Sequence, residues 1–269
     1  MASREDDEDD IDPVKMLFPL DEKHGHNTLS VPPLQDTASE QQLQQHYIGS
    51  IQSTLVIRQL PSQGLSFKLW PAATTLVTLL DQHRCQPSTS SLITVFTNGP
   101  DSRPLNILEL GSGTGLVGMA AAAILGAKVT VTDLPHVIPN LQFNVDTNAG
   151  LFSLQGGTVH VAPLRWGEVD DVELVGRGFD VILASDIVYH DHLYDPLLET
   201  LRLFLNSGVK EKKMTFVMAH LKRWKKDSVF FKRAKKLFNV EIIHVDNPCN
   251  GSRIGVVVYR MTGKATKIS

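Results

Sequence analysis

Seven consecutive residues, Glu109, Leu110, Gly111, Ser112, Gly113, Thr114 and Gly115, carry the strongest chemical signal in the chain. They follow an apolar run that reads as a strand and precede an apolar run that reads as a helix. Glycines in that setting let the backbone turn tightly and approach a ligand, while the helix start offers unpaired N–H donors. A dinucleotide loop follows Gly-x-Gly-x-x-Gly. Here the third glycine arrives one residue early and position 116 is Leu, which favours a ligand without a pyrophosphate. Asp133 follows Gly111 by 22 residues, at the end of the next strand candidate. At the same sheet edge its carboxylate can accept hydrogen bonds from both ribose hydroxyls of an adenosine. A lone Asp at a strand end is also a common cap; its pairing with the glycine loop favours the ribose.

Such a loop needs a sheet to present it. From Asn106 onward, strand candidates alternate with helical periods, the pattern of a parallel sheet covered on both faces. The strands are expected at Asn106 to Leu110, Lys128 to Asp133, Thr158 to Ala162, Phe179 to Ser185 and Met214 to Ala219. The helices are expected at Gly115 to Leu125, Val137 to Asn148, Leu193 to Leu205 and Ser228 to Phe238. Two further β-rich runs, Val240 to Val245 and Arg253 to Met261, are separated by a gap too short for a helical crossover, so the last strand should run antiparallel to its neighbour. The fold class is therefore α/β, a Rossmann-like seven-stranded sheet with an antiparallel C-terminal hairpin and helices on both faces.

Upstream of the sheet, Ser53 to Leu60 alternates like an edge strand, with Leu65 to Trp70 as its partner across a turn containing Pro61 and Gly64. Pro71 then opens a helix to about His83, with Leu76, Leu79 and Leu80 on one face. Residues 84–104 read as a long surface loop around the apolar patch Leu92 to Phe96. Residues 1–46 are acidic, then Pro-bearing, then Gln-rich (Gln41, Gln42, Gln44, Gln45), and read as a disordered segment, with the folded domain at 47–269.

At 269 residues and 42% hydrophobic composition the chain can bury a real core as one domain with an appendage. Seven of its 29 acids, Glu5, Asp6, Asp7, Glu8, Asp9, Asp10 and Asp12, lie in the first twelve residues, a solvating tail by composition. With that stretch and Arg4 set aside, 25 basic and 22 acidic residues remain. That balance is too mild to argue for nucleic acid. Cys85 and Cys249 lack C-x-x-C spacing, which suggests a reducing compartment and no structural zinc. The pairs His24 with His26 and His190 with His192 have no carboxylate or Cys set to complete a metal site and read as surface residues. No secretory start and no span-length apolar run is present. The expectation is a soluble, monomeric, cytoplasmic protein, compatible with the nucleus and without membrane contact. The basic run Lys222, Arg223, Lys225, Lys226, Lys232, Arg233, Lys235 and Lys236 reads as a solvated helix face, with partner binding as the alternative.

Taken together, Leu69 to Ala73, Glu109 to Gly118, Thr132 to Pro135, Asn144 with Asn148, Leu164 to Gly167, and Ser185, Asp186, Ile187, Val188, Tyr189 resemble the methyltransferase family 16 group of seven-strand enzymes. The resemblance spans residues 50 to 262 and leaves the acidic head outside it. It implies S-adenosylmethionine as cofactor and, as in many members, a lysine side chain of a non-histone protein as acceptor. It implies that Gly111, Gly113 and Gly115 face the methionine part of the cofactor, that Asp133 holds the ribose, and that Glu109, Leu134 and Ser185 belong to the same binding set. Trp166 would pack on the adenine, and Trp70 would line the pocket, where an aromatic face attracts a sulfonium. For both indoles, ordinary packing is the competing role.

Asp186 and Tyr189 follow the fourth sheet strand, where the acceptor meets the donor. Enzymes that methylate planar nitrogens often carry Asn-Pro-Pro-Tyr there; this chain has Ser185, Asp186, Ile187, Val188, Tyr189. A carboxylate suits a nitrogen arriving as a cation, and a phenol can wall the channel. Asp186 is thus expected to orient the amine and Tyr189 to shape the channel, unless Asp186 merely caps the next helix. Two other readings stay open: a small-molecule amine or RNA as acceptor, and a non-catalytic scaffold that keeps the fold.

Overall fold

The computed structural model describes residues 41–96, 103–205, 214–223, 225–247 and 255–264. The acidic head, the pair His24 and His26, Cys249 and residues 97–102 of the expected loop lie outside them. A seven-stranded sheet forms the centre, with strands β3 (Asn106–Leu110), β4 (Lys128–Asp133), β5 (Thr158–Pro163), β6 (Val181–Ser185), β7 (Thr215–Leu221), β8 (Phe238–Val245) and β9 (Val256–Gly263). Their order is β5-β4-β3-β6-β7-β9-β8. The first five run parallel, and β9 runs antiparallel to both β7 and β8. The expected hairpin therefore forms, with its second strand inserted against the parallel sheet. The chain steps outward from β3 to β4 and β5 and then crosses back to β6 on the other side of β3, and the crevice at this reversal is where ligands of open α/β sheets bind.

Strand residues alternate between two cores, as a period of two on a sheet covered on both sides requires. Ile107, Val181, Leu183, Val217 and Ala219 face one layer, built from α1 (Pro71–Cys85), α3 (Leu116–Leu125) and α4 (Ile138–Leu154). Leu108, Ile182, Ala184, Phe216 and Met218 face the other, built from α5 (Val169–Val175), α6 (Tyr194–Leu205) and α7 (Asp227–Leu237). The α3 sequence LVGMAAAAIL is buried from Leu116 through Ile124. Its small side chains let it lie close to the sheet, so that a Cβ on Gly118 would collide with Val131 and the Glu109 carboxyl. The short α5 was not expected from sequence; of its seven residues only Asp171 and Val172 are buried, which leaves no helical stripe to read.

Upstream, three expectations are corrected. The partner of β2 (Ser53–Gln59) is not Leu65 to Trp70 but β1 (Gln42–Ile48), antiparallel, with Gln42 opposite Gln59 and Ile48 opposite Ser53. Part of the Gln-rich run is thus a strand, and the folded region begins at least five residues before Tyr47. Only Ile48 of β1 is buried, so its backbone pairing left no hydrophobic alternation in the sequence. Leu65–Phe67 instead forms a 3₁₀ turn. The 84–104 stretch is also less loop-like than expected: α2 (Ile93–Phe96) anchors it, with Leu92 and Val95 in the main core.

The other edge of β2 docks on α4 through side chains that imitate a strand. Asn148 accepts from Val56 N and donates to Val56 O, both at 2.9 Å. One turn earlier, Asn144 accepts from Arg58 N at 2.8 Å and donates to Arg58 O at 3.1 Å and to Thr114 O at 2.9 Å. Asn140 accepts from Arg58 Nε at 2.8 Å. The i, i+4 spacing puts all three amides on one helix face, and each satisfies backbone groups that would otherwise be orphaned. Replacing Asn144 with Ala is expected to destabilise the protein by about 1–3 kcal/mol, the cost of leaving buried polar groups unpaired. Denaturant unfolding checks the magnitude. Amide exchange should accelerate first in residues 54–58, and unchanged protection there would reject the docking role.

Candidate active site

The glycine loop starts where β3 ends, and its shape is set by polar links to β4. Ser112 N donates to Thr132 O at 2.9 Å, Thr132 N donates to Ser112 Oγ at 3.0 Å, and Thr132 Oγ1 donates to Glu109 O at 2.7 Å. Gly113 N donates to Asp133 Oδ2 at 2.7 Å, and Leu134 N donates to Asp133 Oδ1 at 2.7 Å. Gly111 and Gly113 adopt left-handed φ of +60° and +54°. A Cβ on Gly111 would sit 2.8 Å from Ile187 Cγ2 and 3.0 Å from Trp166 Cζ2, and one on Gly113 would sit 2.9 Å from Ser66 O. Glycine is thus required by backbone angle and by close neighbours alike. Ser66 belongs to the 3₁₀ turn described above, so that turn roofs the loop.

Below the roof lies a cavity of about 470 Å³ at the carboxyl ends of β3, β4 and β6. Of the residues expected at the site, Trp70, Glu109, Gly111, Gly113, Asp133, Leu134, Trp166, Ser185, Asp186 and Tyr189 all line it. Gly115 does not. It caps α3 with φ +82°, and a Cβ there would meet Leu141 Cδ1 rather than the cavity. Trp166 lines the cavity and also packs against the second core. Trp70 is fixed by its indole N–H, which donates to Leu65 O at 3.0 Å.

Three carboxyl groups line the cavity, each in a different electrostatic state. Glu109 is 1% exposed and accepts from Gly118 N at 2.9 Å, capping the first turn of α3. Burial pushes its carboxyl up to about 8, against the hydrogen bonds that pull it down. Burial also raises Asp133, opposed by the N–H bonds from Gly113 and Leu134. Each Asp133 oxygen keeps a lone pair for a further donor, as two ribose hydroxyls require. Tyr189 is held neutral, its phenol raised by burial and by the Asp133 charge.

Asp186 is placed differently from expectation. It caps no helix, because the next turn, Asp191–Leu193, has His190 before it and no side-chain cap. It sits at φ +54°, a conformation that short polar residues such as Asp tolerate better than most. Its N–H donates to Ala219 O at 2.9 Å, and its Oδ1 accepts from Leu221 N at 2.9 Å. Arg223 Nη1 and Nη2 then donate to Oδ1 and Oδ2 at 3.2 and 3.0 Å. The pair is buried, with side chains 2% and 10% exposed for Asp186 and Arg223, and the guanidinium lies 4.9 Å from the Trp70 ring centroid. Asp186 therefore has Oδ1 filled by Leu221 N–H and Arg223, while Oδ2 accepts from Arg223 alone and keeps a lone pair at the cavity wall.

Arg223 is the site residue that sequence reading missed. It was counted within a solvated basic run, yet it precedes α7 and turns inward. The rest of that run divides: Arg233 pairs with Asp195 at 2.7 Å, while Lys235 and Lys236 accept through their carbonyl oxygens from Lys264 Nζ at the end of α7. Only the paired strand ends, β6 and β7, reveal that Arg223 faces Asp186.

Residues 50–237 match the sequence profile of the lysine methyltransferase family. The chain belongs to that family. It is 34% identical over 200 residues to the protein N-lysine methyltransferase METTL21A of Danio rerio, covering 73% of this chain and 77% of that one. It is 39% identical over 108 residues to the protein-lysine N-methyltransferase rrg1 of Schizosaccharomyces pombe, covering 39% of this chain and 36% of that one. Among solved structures it is similar to a TehB-like SAM-dependent methyltransferase from Corynebacterium glutamicum, with TM-score 0.45, 16% identity, and coverage of 71% and 98% of the two chains. The sheet order and strand directions described above are the α/β class expected from sequence, and the family match makes the chain a lysine methyltransferase by family.

Two outcomes follow from this geometry. The Glu109 carboxyl is raised from 4.5 to about 8, so its contribution to stability is fully present below about pH 4.5 and is lost as pH climbs to about 8. Glu109→Gln keeps an acceptor for Gly118 N–H and removes that titration. Thermal melts without added ligand at pH 5, 6.5 and 8 should show the wild type losing several degrees more than the variant; parallel curves would reject the raised carboxyl. Arg223→Met leaves the buried Asp186 charge uncompensated and should cost about 3–5 kcal/mol. The double variant with Asp186→Asn should recover part of that loss, as read from a denaturant double-mutant cycle.

Proposed function

We propose that this methyltransferase moves the methyl group of S-adenosylmethionine to the ε-nitrogen of a lysine side chain in a non-histone protein. The observation that carries the reading is the glycine loop locked to Asp133 beside a cavity of about 470 Å³. The residues present fit the cofactor: Gly111 and Gly113 line the cavity with backbone alone, and Asp133 has two lone pairs left for vicinal hydroxyls. Trp166 and Leu134 supply apolar surface for an adenine, and Trp70 and Tyr189 supply aromatic faces near a cationic centre. When bound, the cofactor supplies an electrophilic methyl group on a sulfonium.

What the chain adds is alignment and desolvation. A free lysine ammonium costs about 4–5 kcal/mol to neutralise at pH 7. Apolar walls from Leu69, Ile187 and Leu193 favour the neutral amine, and water can carry the proton away. Tyr189, neutral and half-buried, shapes the channel and can hydrogen-bond the amine. Asp186 keeps Arg223 and Trp70 in place. The remaining gain is proximity, the dominant factor when no group on the protein must be covalently changed. With a mild overall charge and no helix among the described residues long and apolar enough to cross a membrane, the reading extends to a monomeric enzyme of the cytoplasm, compatible with the nucleus.

Calorimetric titration with S-adenosylhomocysteine tests the cofactor site. Binding by the wild type should weaken by about 1–3 kcal/mol in Asp133→Ala, the scale for removing a charged hydrogen-bond partner. Absence of binding to the folded wild type would defeat the proposal. The acceptor is tested by labelling lysate proteins with methyl-tritiated cofactor and hydrolysing them; label should appear in methyl-lysine. Label confined to RNA or to small amines would replace the acceptor while keeping the cofactor site.

A further inference from the structure

Each methyl transfer to a lysine releases one proton, because the nitrogen arrives as an ammonium and must lose a proton before its lone pair can form a bond. The titratable side chains that line the cavity differ in whether they could take that proton. Lys68, Arg165, Arg223 and Lys226 are cations with no lone pair to offer. Glu109 is kept protonated by burial and is bound to Gly118 N–H. Asp133 is bonded to the N–H groups of Gly113 and Leu134, and Asp186 to Arg223. Both are buried, so a proton left on either would be sealed in once cofactor and acceptor fill the cavity. Tyr189 is a neutral phenol, able to hydrogen-bond the amine but too weak a base to hold its proton.

Among the described residues that line the cavity, one titratable side chain remains. His190 lines it and is also exposed to solvent, so a single ring reaches both the acceptor channel and water. An imidazole offers a lone pair when neutral and can release a bound proton near neutral pH. The His190 backbone is held by the turn Asp191–Leu193, whose Leu193 N–H donates to His190 O at 3.1 Å. Two rings bear on its side chain: Tyr189, with centroids 4.8 Å apart, and His192, at 5.4 Å and 20° from parallel. His192 is itself tied to the turn, its N–H donating to Asp191 Oδ1 at 2.9 Å. The His190 ring thus stands beside the phenol that shapes the channel.

We infer that His190 is a catalytic base for the methyl acceptor. Its unprotonated ring nitrogen takes a proton from the lysine ammonium, directly or through one water. The electron pair of the broken N–H bond stays on the amine as its lone pair. The imidazolium then passes the proton to bulk water, which restores the neutral ring. This inference rests on the lysine-acceptor reading above and adds the group through which the proton reaches water.

The test follows label from methyl-tritiated cofactor into methyl-lysine of a fixed cell lysate, using the full chain as wild type, His190→Gln and His190→Ala. At pH 7 both variants should transfer label at least about tenfold more slowly, less than the full 10²–10⁴ of a general base because bulk water can still take the proton. Both should bind S-adenosylhomocysteine as tightly as the wild type, since the ring makes no contact with the glycine loop or Asp133 in the bonds that fix them. Wild-type transfer should fall on the acid side of neutrality, where the protonated imidazole can accept nothing. The variants should instead keep rising toward the ionisation of lysine itself, near pH ~10. Free imidazole added to His190→Ala should restore part of the rate, a response that lost packing would not show. Variants as fast as the wild type would overturn the inference, and so would slowed variants that keep the wild-type pH profile. The lysine reading fails separately: wild-type label in RNA or small amines with none in methyl-lysine removes both, whereas labelled lysine with fast variants removes only the role of His190.

Discussion

Between the carboxyl ends of β3 and β4, the loop from Gly111 to Gly115 has few side chains with which to hold its own shape. What fixes it is borrowed from the strands: Thr132 bonds to Ser112 and Glu109, Asp133 receives Gly113 N–H, and Glu109 receives Gly118 N–H. These bonds lie in a region with little water, where an unmet polar group costs about 1–3 kcal/mol. The loop, the start of α3 and the position of Asp133 are consequently one unit. Moving any one of them would strip partners from the other two.

The same unit explains why residues far apart in the chain meet at the cavity. Asn144 donates to Thr114 O while gripping Arg58 of β2, so the hairpin that precedes the sheet is tied to the loop through α4. The turn after β2 then places Ser66 O where a side chain on Gly113 would be. The roof of the cavity is thus set by a hairpin with little core of its own, held by three asparagines in place of a third strand.

Charge at the site is arranged by depth. Glu109 is kept near neutrality by burial, Asp133 keeps acceptor capacity at the cavity wall, and Asp186 is paired with Arg223. The Asp186–Arg223 pair is buried, and such pairs are poor sources of net stability because desolvation offsets attraction. Its value is geometric. It joins β6, the end of β7 and Trp70 of the α1 entry, three elements that share no continuous backbone, at the place where an acceptor would enter.

The sequence by itself determined the parallel character of the sheet, the antiparallel last strand, and the glycine loop with Asp133, but not the order of the strands. Those features rest on local periodicity and on spacing along one chain, so neighbouring residues suffice to reveal them. Trp166, Tyr189 and Ser185 were placed at the site by the family resemblance, and each lies at or shortly beyond the carboxyl end of β5 or β6 beside the cavity. Only the tertiary structure decided the rest. β1 was hidden because an exposed strand buries little and leaves no alternation; its partner was decided by backbone pairing. Gly115 looked like its neighbours in the loop, but its Cβ direction points at Leu141. Arg223 read as one more surface cation, and its pairing with Asp186 was missed, because neither residue's sequence neighbours reveal that β6 and β7 end side by side. A charge finds its partner across strands, and that distance is not written in the spacing along the chain.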